Sequence, residues 1–186
     1  MDHPARYTRP AMVLHWLVAA LVTVGAALGL SAELFPKNWI GPAIDLHKSV
    51  GITVLCLMLV RMSWRLTHAP PPVPAGRGRL ERLAAQAAHL ALYGLVLALP
   101  LSGWVHDSAF AFAARHPLRL FGVLPWPRLG FVEAMAPDAK LRLHARWFAI
   151  HVALFYTLCA VSALHVAGVL KHQFRDRDRP LRRMWS

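Results

Sequence analysis

The chain has 186 residues, 56% of them hydrophobic, a mean hydropathy of +0.40 and a formal net charge of +12. A soluble domain of this size disperses its apolar residues by helical or strand period, whereas here they come in uninterrupted blocks. Two cysteines cannot by themselves hold an iron–sulfur cluster, which takes four cysteines or a Cys/His mixture, and no CxxCH occurs for a covalently attached c-type haem.

The first block, 11–30, carries no charge and holds His15 and the glycine pair Gly25/Gly29. Leu30-Ser31-Ala32 imitates a signal-peptide cleavage site. The apolar run is longer than a signal core, and a discarded segment has no use for a histidine, so the block is expected to be retained. Gly25 and Gly29, four apart, read as a close helix-packing motif. The second block, 46–66, opens with His47 and holds Gly51, with Arg61 near its end. The run Pro70–Pro74 then reads as a stiff, extended connection. The third block, 83–105, is uncharged and contains His89. The fourth, 147–170, is uncharged and contains His151 and His165.

Each block approaches or exceeds the roughly 20 residues of a spanning helix. Only helices or closed barrels satisfy their backbone in lipid, and these runs lack barrel alternation. The expected fold is all-α: an integral membrane four-helix bundle, one domain over 1–186, with helices at about 11–30, 46–66, 83–105 and 147–170. Cys56 and Cys159 fall within these spans and read as small core residues.

Thirteen basic residues fall on the side that carries both termini: Arg6, Arg9, Arg61, Arg65, Arg77, Arg79, Arg82, Lys171, Arg175, Arg177, Arg179, Arg182 and Arg183. Eight fall on the other: Lys37, Lys48, Arg115, Arg119, Arg128, Lys140, Arg142 and Arg146. The positive-inside rule puts both termini in the cytoplasm. Trp16, Trp39, Trp64, Trp104 and Trp147 cluster near the predicted interfaces as an aromatic belt. Membrane orientation accounts for the positive charge, so no nucleic-acid partner is expected.

An imidazole inside a span is expensive unless partnered, and so marks a functional candidate. His15 falls at the cytoplasmic end of the first helix and His47 at the outer end of the second. His151 and His165 are 14 residues apart, on nearly one helical face and about 21 Å apart along the axis. One small ligand cannot bridge that gap. Four histidines pair in three ways, and only His15 with His165 (inner) and His47 with His151 (outer) keep partners at equal depth. Two imidazoles at one depth on different helices suit a planar cofactor held in a bundle interior, and haem b fits, with two haems, one per pair, and the four histidines as axial iron ligands. Gly51 and Gly168 share the faces of His47 and His165 and would make room for the rings. Lys48, Lys140, Arg142 and Arg146 outside, and Arg9, Arg82, Lys171 and Arg175 inside, are candidate partners for propionates. A zinc site would need three or four ligands together. His89 reads as a quinone contact or a packing histidine. His106 and His144 read as interfacial polar residues, and His3, His68, His116 and His172 as loop or interface residues.

The segments Leu14-His15-Trp16, Leu46-His47-Lys48-Ser49-Val50-Gly51, Leu99-Pro100-Leu101-Ser102-Gly103-Trp104, His165-Val166-Ala167 and Lys171-His172-Gln173-Phe174, with Arg65-Leu66 before the proline run, resemble the bacterial cytochrome b561 family over nearly the whole chain. The resemblance implies a di-haem membrane cytochrome b of the inner membrane that exchanges electrons with the quinone pool. Some relatives oxidise superoxide at the outer face and reduce ubiquinone. The family is also similar to the cytochrome b subunits of hydrogenases and formate dehydrogenases. His144, two turns before His151 on nearly the same face, is the alternative outer ligand; the 14-residue spacing favours His151.

The leading expectation is an oxidoreductase passing electrons between the outer face and quinone, with superoxide as donor and Lys140, Arg142 and Arg146 drawing in the anion. The alternatives are an electron-transfer subunit for a partner dehydrogenase or hydrogenase, and a metal-binding or proton-relay transporter. The last would want intramembrane carboxylates, and the four blocks hold none.

Overall fold

The computed structural model describes residues 6–69, 71, 78–176 and 180–185. His3, Arg77, Arg177, Arg179 and, apart from Pro71, the Pro70–Pro74 connection lie outside them. Four long helices are each long and apolar enough to cross a bilayer, which makes the chain a helical membrane bundle. They are α1 (Arg9–Ser31), α2 (Lys37–Thr67), α3 (Arg79–Ser108) and α5 (Pro137–Leu170). Between α3 and α5 lie a two-residue antiparallel ladder, β1 (Arg119–Leu120) with β2 (Leu124–Pro125), and a single turn, α4 (Gly130–Glu133). A short α6 (Pro180–Arg183) closes the chain.

Two helices outrun their apolar blocks. α2 begins at Lys37 rather than near 46, and α5 at Pro137 rather than near 147. Hydropathy marks only the apolar part of a helix, whereas backbone hydrogen bonding continues into the polar residues beyond it. Prolines open α1 and α5, where the first-turn N–H has no intrahelical partner to lose.

α1 packs on α2, α2 on α3, and α3 on α5. Val18, Val50 and Val54 form the buried seam between α1 and α2. Gly25 lets the two helices close up, since a Cβ there would already touch Val50 Cγ1 at 3.4 Å. The backbone of α5 packs chiefly on α3 and meets α1 and α2 at most marginally.

Both termini meet at one end of the bundle, the terminal end. Tyr7 N–H donates to Arg183 O, Trp16 Nε1 donates to Met184 O at 2.9 Å, and Trp16 packs edge-on against Trp185. Lys171 joins α5 to the start of α3 through Glu81 at 2.6 Å. Its hydrogen bond to Asp176 holds that carboxyl below the usual carboxylate range. Arg61, a charge inside an apolar block, donates from Nη1 to Ala11 O at 3.1 Å and lies 5.7 Å from the Tyr93 ring centre. A carbonyl and an aromatic face are the partners such a cation needs at this depth.

The opposite, loop end is capped by residues 109–136. Arg128 ties this segment down, donating from Nε to Asp107 at 2.9 Å and from its terminal nitrogens to Ala113 O and His116 O. Asp107 also takes Lys48 Nζ of α2 at 2.9 Å, so one buried carboxylate joins α2, α3 and the cap. The β1–β2 turn has both central residues at positive φ, Phe121 at 53° and Gly122 at 75°. A phenylalanine is strained there. Its N–H is fixed by Ser49 Oγ of α2 at 2.9 Å.

Asp107→Asn removes one charge from this nearly enclosed triad and leaves Arg128 buried against a neutral amide. The expected cost is about 3 kcal/mol, the usual range for breaking a buried pair from one side. It should be read as a lower thermal midpoint of the detergent-solubilised protein, followed by tryptophan fluorescence.

Candidate functional site

The loop end brings His47 of α2 and His151 of α5 face to edge, with ring centroids 6.1 Å apart and planes at 82°. Each ring is held by the neighbouring helix. His47 Nδ1 lies 2.8 Å from Gly25 O of α1. His151 Nδ1 lies 3.1 Å from Leu99 O of α3. A carbonyl only accepts, so both Nδ1 atoms carry the proton and both Nε2 atoms keep a free lone pair.

The two cradles share one pattern. Four residues after each acceptor carbonyl stands a glycine on which the imidazole rests. A Cβ on Gly29 would fall 3.1 Å from His47 Cε1, and one on Gly103 would fall 3.2 Å from His151 Cε1. Residues four apart share a helix face, so one turn of α1 and one turn of α3 each supply both the acceptor and the space. Ser102, fully buried, adds its hydroxyl 2.9 Å from His151 Nδ1.

The glycines chosen from sequence play another part. Gly51 and Gly168 have no protein atom within 4 Å of an added Cβ. They border open space rather than support a ring. Gly25 serves helix packing, as its spacing suggests, but Gly29 touches the candidate ligand itself. Gly29, Leu99, Ser102 and Gly103 were not singled out as site residues. Their only sequence signals are the Gly25/Gly29 spacing and the Leu99–Trp104 segment, and neither shows which histidine it would meet.

At the terminal end His165 packs edge-on against His89 of α3, with centroids 5.3 Å apart. His15 stands within electrostatic reach of Arg61, His165 and His89. The structure therefore gathers three histidines here rather than two. His15 also packs against Trp16.

His144 does not join His151. It stacks on His106 at 3.8 Å, and each Nδ1 donates to the other residue's backbone carbonyl at 3.0 Å. This reciprocal pair clamps α3 to α5. His68 stacks on Trp64, His116 packs near Phe110, and His172 bonds Asp176.

The basic residues divide by face. Lys140 lies eleven residues before His151, about 20° from it around the helix. Arg142 and Arg146 lie about 180° and 140° away from His151 and are exposed. Lys48 Nζ is held by Asp107 and Asp45, and Lys171 by Glu81 and Asp176. Among the described residues no cluster of three or more His, Cys, Asp or Glu could hold a bare metal ion.

The site fits a planar iron cofactor. Metal–imidazole bonds of about 2 Å on each side of one metal, plus the ring half-widths, separate two centroids by about 6 Å, the spacing of His47 and His151. The helices bearing each pair, α2 with α5 and α1 with α5, have at most marginal backbone contact.

A family model described as prokaryotic cytochrome b561 matches residues 6–186. Cytochrome b561 homolog 2 of Escherichia coli (strain K12) is 35% identical over 185 residues, covering 97% of this chain and 92% of that protein. A Yersinia pestis protein named probable superoxide oxidase CybB is 25% identical over 179 residues, covering 96% of this chain and 95% of its own length. Cytochrome b561 homolog 1 of Escherichia coli (strain K12) is 24% identical over 188 residues, covering 96% of each.

His144→Ala removes the hydrogen bond from its own ring and the ring stack, and leaves the bond from His106 Nδ1 to the backbone carbonyl of residue 144. The expected cost is about 2 kcal/mol, seen as a lower thermal midpoint, with the visible absorption of the metal-bound protein unchanged. Loss of that absorption with stability retained would instead make His144 the ligand.

Proposed function

The chain belongs to the prokaryotic cytochrome b561 family, and on that premise we propose that it is a di-haem b-type cytochrome carrying electrons between the outer face of the bacterial inner membrane and the membrane quinone pool. The family generally binds haem b. The observation that carries the reading is the His47–His151 pair: two imidazoles about one metal's width apart, each with Nδ1 tied to a backbone carbonyl and Nε2 free.

His47 and His151 hold one haem at the loop end, and His15 and His165 hold the second at the terminal end. When bound, haem supplies a one-electron carrier at each end of the bundle. The protein fixes which nitrogen of His47 and of His151 would face the metal, since an imidazole whose other N–H is anchored cannot rotate away or change tautomer. Gly51 and Gly168 keep side chains out of the space beside the ligands. His89, packed on His165, lines the terminal end where a quinone would approach. Both termini are cytoplasmic, which puts the loop end outside.

Superoxide is the donor we favour and ubiquinone the acceptor: two superoxide anions yield two dioxygen molecules, and one quinone takes up both electrons and two protons. The name of the Yersinia pestis relative supports this choice. So does the positive charge at the loop end, where clustered cations raise the arrival rate of an anion. Lys140, on the face of His151, is the cation best placed for it. Arg142 and Arg146 contribute only to the field at longer range.

A dithionite-reduced minus oxidised spectrum with pyridine haemochrome quantification should give two low-spin b-type haems per chain. His151→Ala and His165→Ala should each remove one. A well-folded wild-type preparation without haem overturns the reading. In stopped-flow, the rate with superoxide should fall several-fold as salt is raised through physiological ionic strength, and Lys140→Gln should flatten that dependence. A salt-independent rate removes the steering role.

A further inference from the structure

The two imidazoles of the loop-end pair are not held alike. His47 Nδ1 has one acceptor, Gly25 O. His151 Nδ1 has two, Leu99 O at 3.1 Å and Ser102 Oγ at 2.9 Å. Ser102 Oγ in turn donates to Leu99 O at 2.6 Å. Its one hydroxyl proton is thereby committed to the carbonyl, and its lone pairs are left for the imidazole N–H. The hydroxyl is fully buried, so no water competes for it.

The matching pattern of the cradles shows what is special. Gly25 and Gly29 of α1 correspond to Leu99 and Gly103 of α3. By the same offset Ser102 corresponds to Leu28, which offers no hydrogen bond. The hydroxyl is therefore an addition to one side only. A seat for the ring does not need it, because His47 is seated without one.

We propose that Ser102 is a positioning residue that raises the basicity of His151 and so lowers the reduction potential of the loop-end haem relative to a site with the carbonyl alone. This rests on the di-haem reading above. An imidazole that shares its N–H with more acceptors gains imidazolate character, donates more strongly to a bound metal and favours the oxidised form. Ser102 thus acts through His151, not on the substrate.

The test is a spectroelectrochemical titration of the full-length, haem-loaded protein in detergent, with the ferric low-spin signals read by electron paramagnetic resonance. Ser102→Ala should move one of the two midpoints upward, leave the other in place, and shift one of the two low-spin signals. Ser102→Thr, which keeps the hydroxyl, should restore both. An unchanged pair of midpoints and signals in Ser102→Ala overturns the proposal. So does a downward shift, or an equal shift of both transitions, which marks a general structural effect. If Ser102→Ala fails to retain haem, Ser102→Cys decides, because its sulfur is a weak acceptor in nearly the same volume. One midpoint moved upward relative to Ser102→Thr supports the proposal, and identical midpoints overturn it. Absence of two haems from the wild type overturns this inference together with the reading beneath it. Two haems with an unmoved Ser102→Ala overturn the inference alone.

Discussion

An imidazole placed among apolar helices must give its N–H to something, and here the acceptor comes from the backbone of the helix beside it. A helical carbonyl already accepts one bond from its own helix but has a second lone pair. His47 uses the second lone pair of Gly25 O, and His151 shares Leu99 O with the Ser102 hydroxyl, whose oxygen is its other acceptor. This interaction requires close approach, because a side chain on the facing turn would hold the ring away. Gly29 and Gly103 supply that approach. The separation of the rings, the choice of free nitrogen and the distance between the helices that carry them all follow from these two seats.

The charges at the loop end are arranged around the same constraint. Lys48 follows His47 in the chain, and a free ammonium beside an imidazole among apolar helices would be expensive to bury. Asp107 neutralises it and Arg128 completes the group, so the cations nearest the pair are largely compensated. The +12 net charge of the chain is therefore not spread evenly over the site. Lys140, on the face of His151, is in no ion pair among the described residues. At the terminal end the logic differs. Arg61 is held by a carbonyl and an aromatic ring rather than by a carboxylate, so its charge stays uncompensated beside His15. The two ends of the bundle thus offer different electrostatic surroundings to their histidines.

The four spans and their helical nature could be read from the chain, because hydrophobic length and helical period are regular and local. Twenty uncharged residues have few alternatives in lipid, and a 14-residue spacing returns to the same helix face. The ends of α2 and α5 could not be read from hydropathy, since Lys37–Asp45 and Pro137–Arg146 carry charges yet are helical. The two glycines chosen for sharing a face with a histidine, Gly51 and Gly168, border open space, while the glycines that seat a histidine, Gly29 and Gly103, lie on neighbouring helices.

The sequence by itself determined that this is a membrane bundle with histidines near both of its ends, because hydrophobic length and helical periodicity are local properties of the chain. Only the tertiary structure decided which carbonyl each histidine bonds, that His144 pairs with His106 instead of competing with His151, that His89 joins the terminal cluster and that Lys48 answers to Asp107. These are contacts between helices, fixed by the rotation and depth at which each helix packs against its neighbour. Rotation and depth depend on how small and large side chains interlock across the whole seam, and no single segment records that.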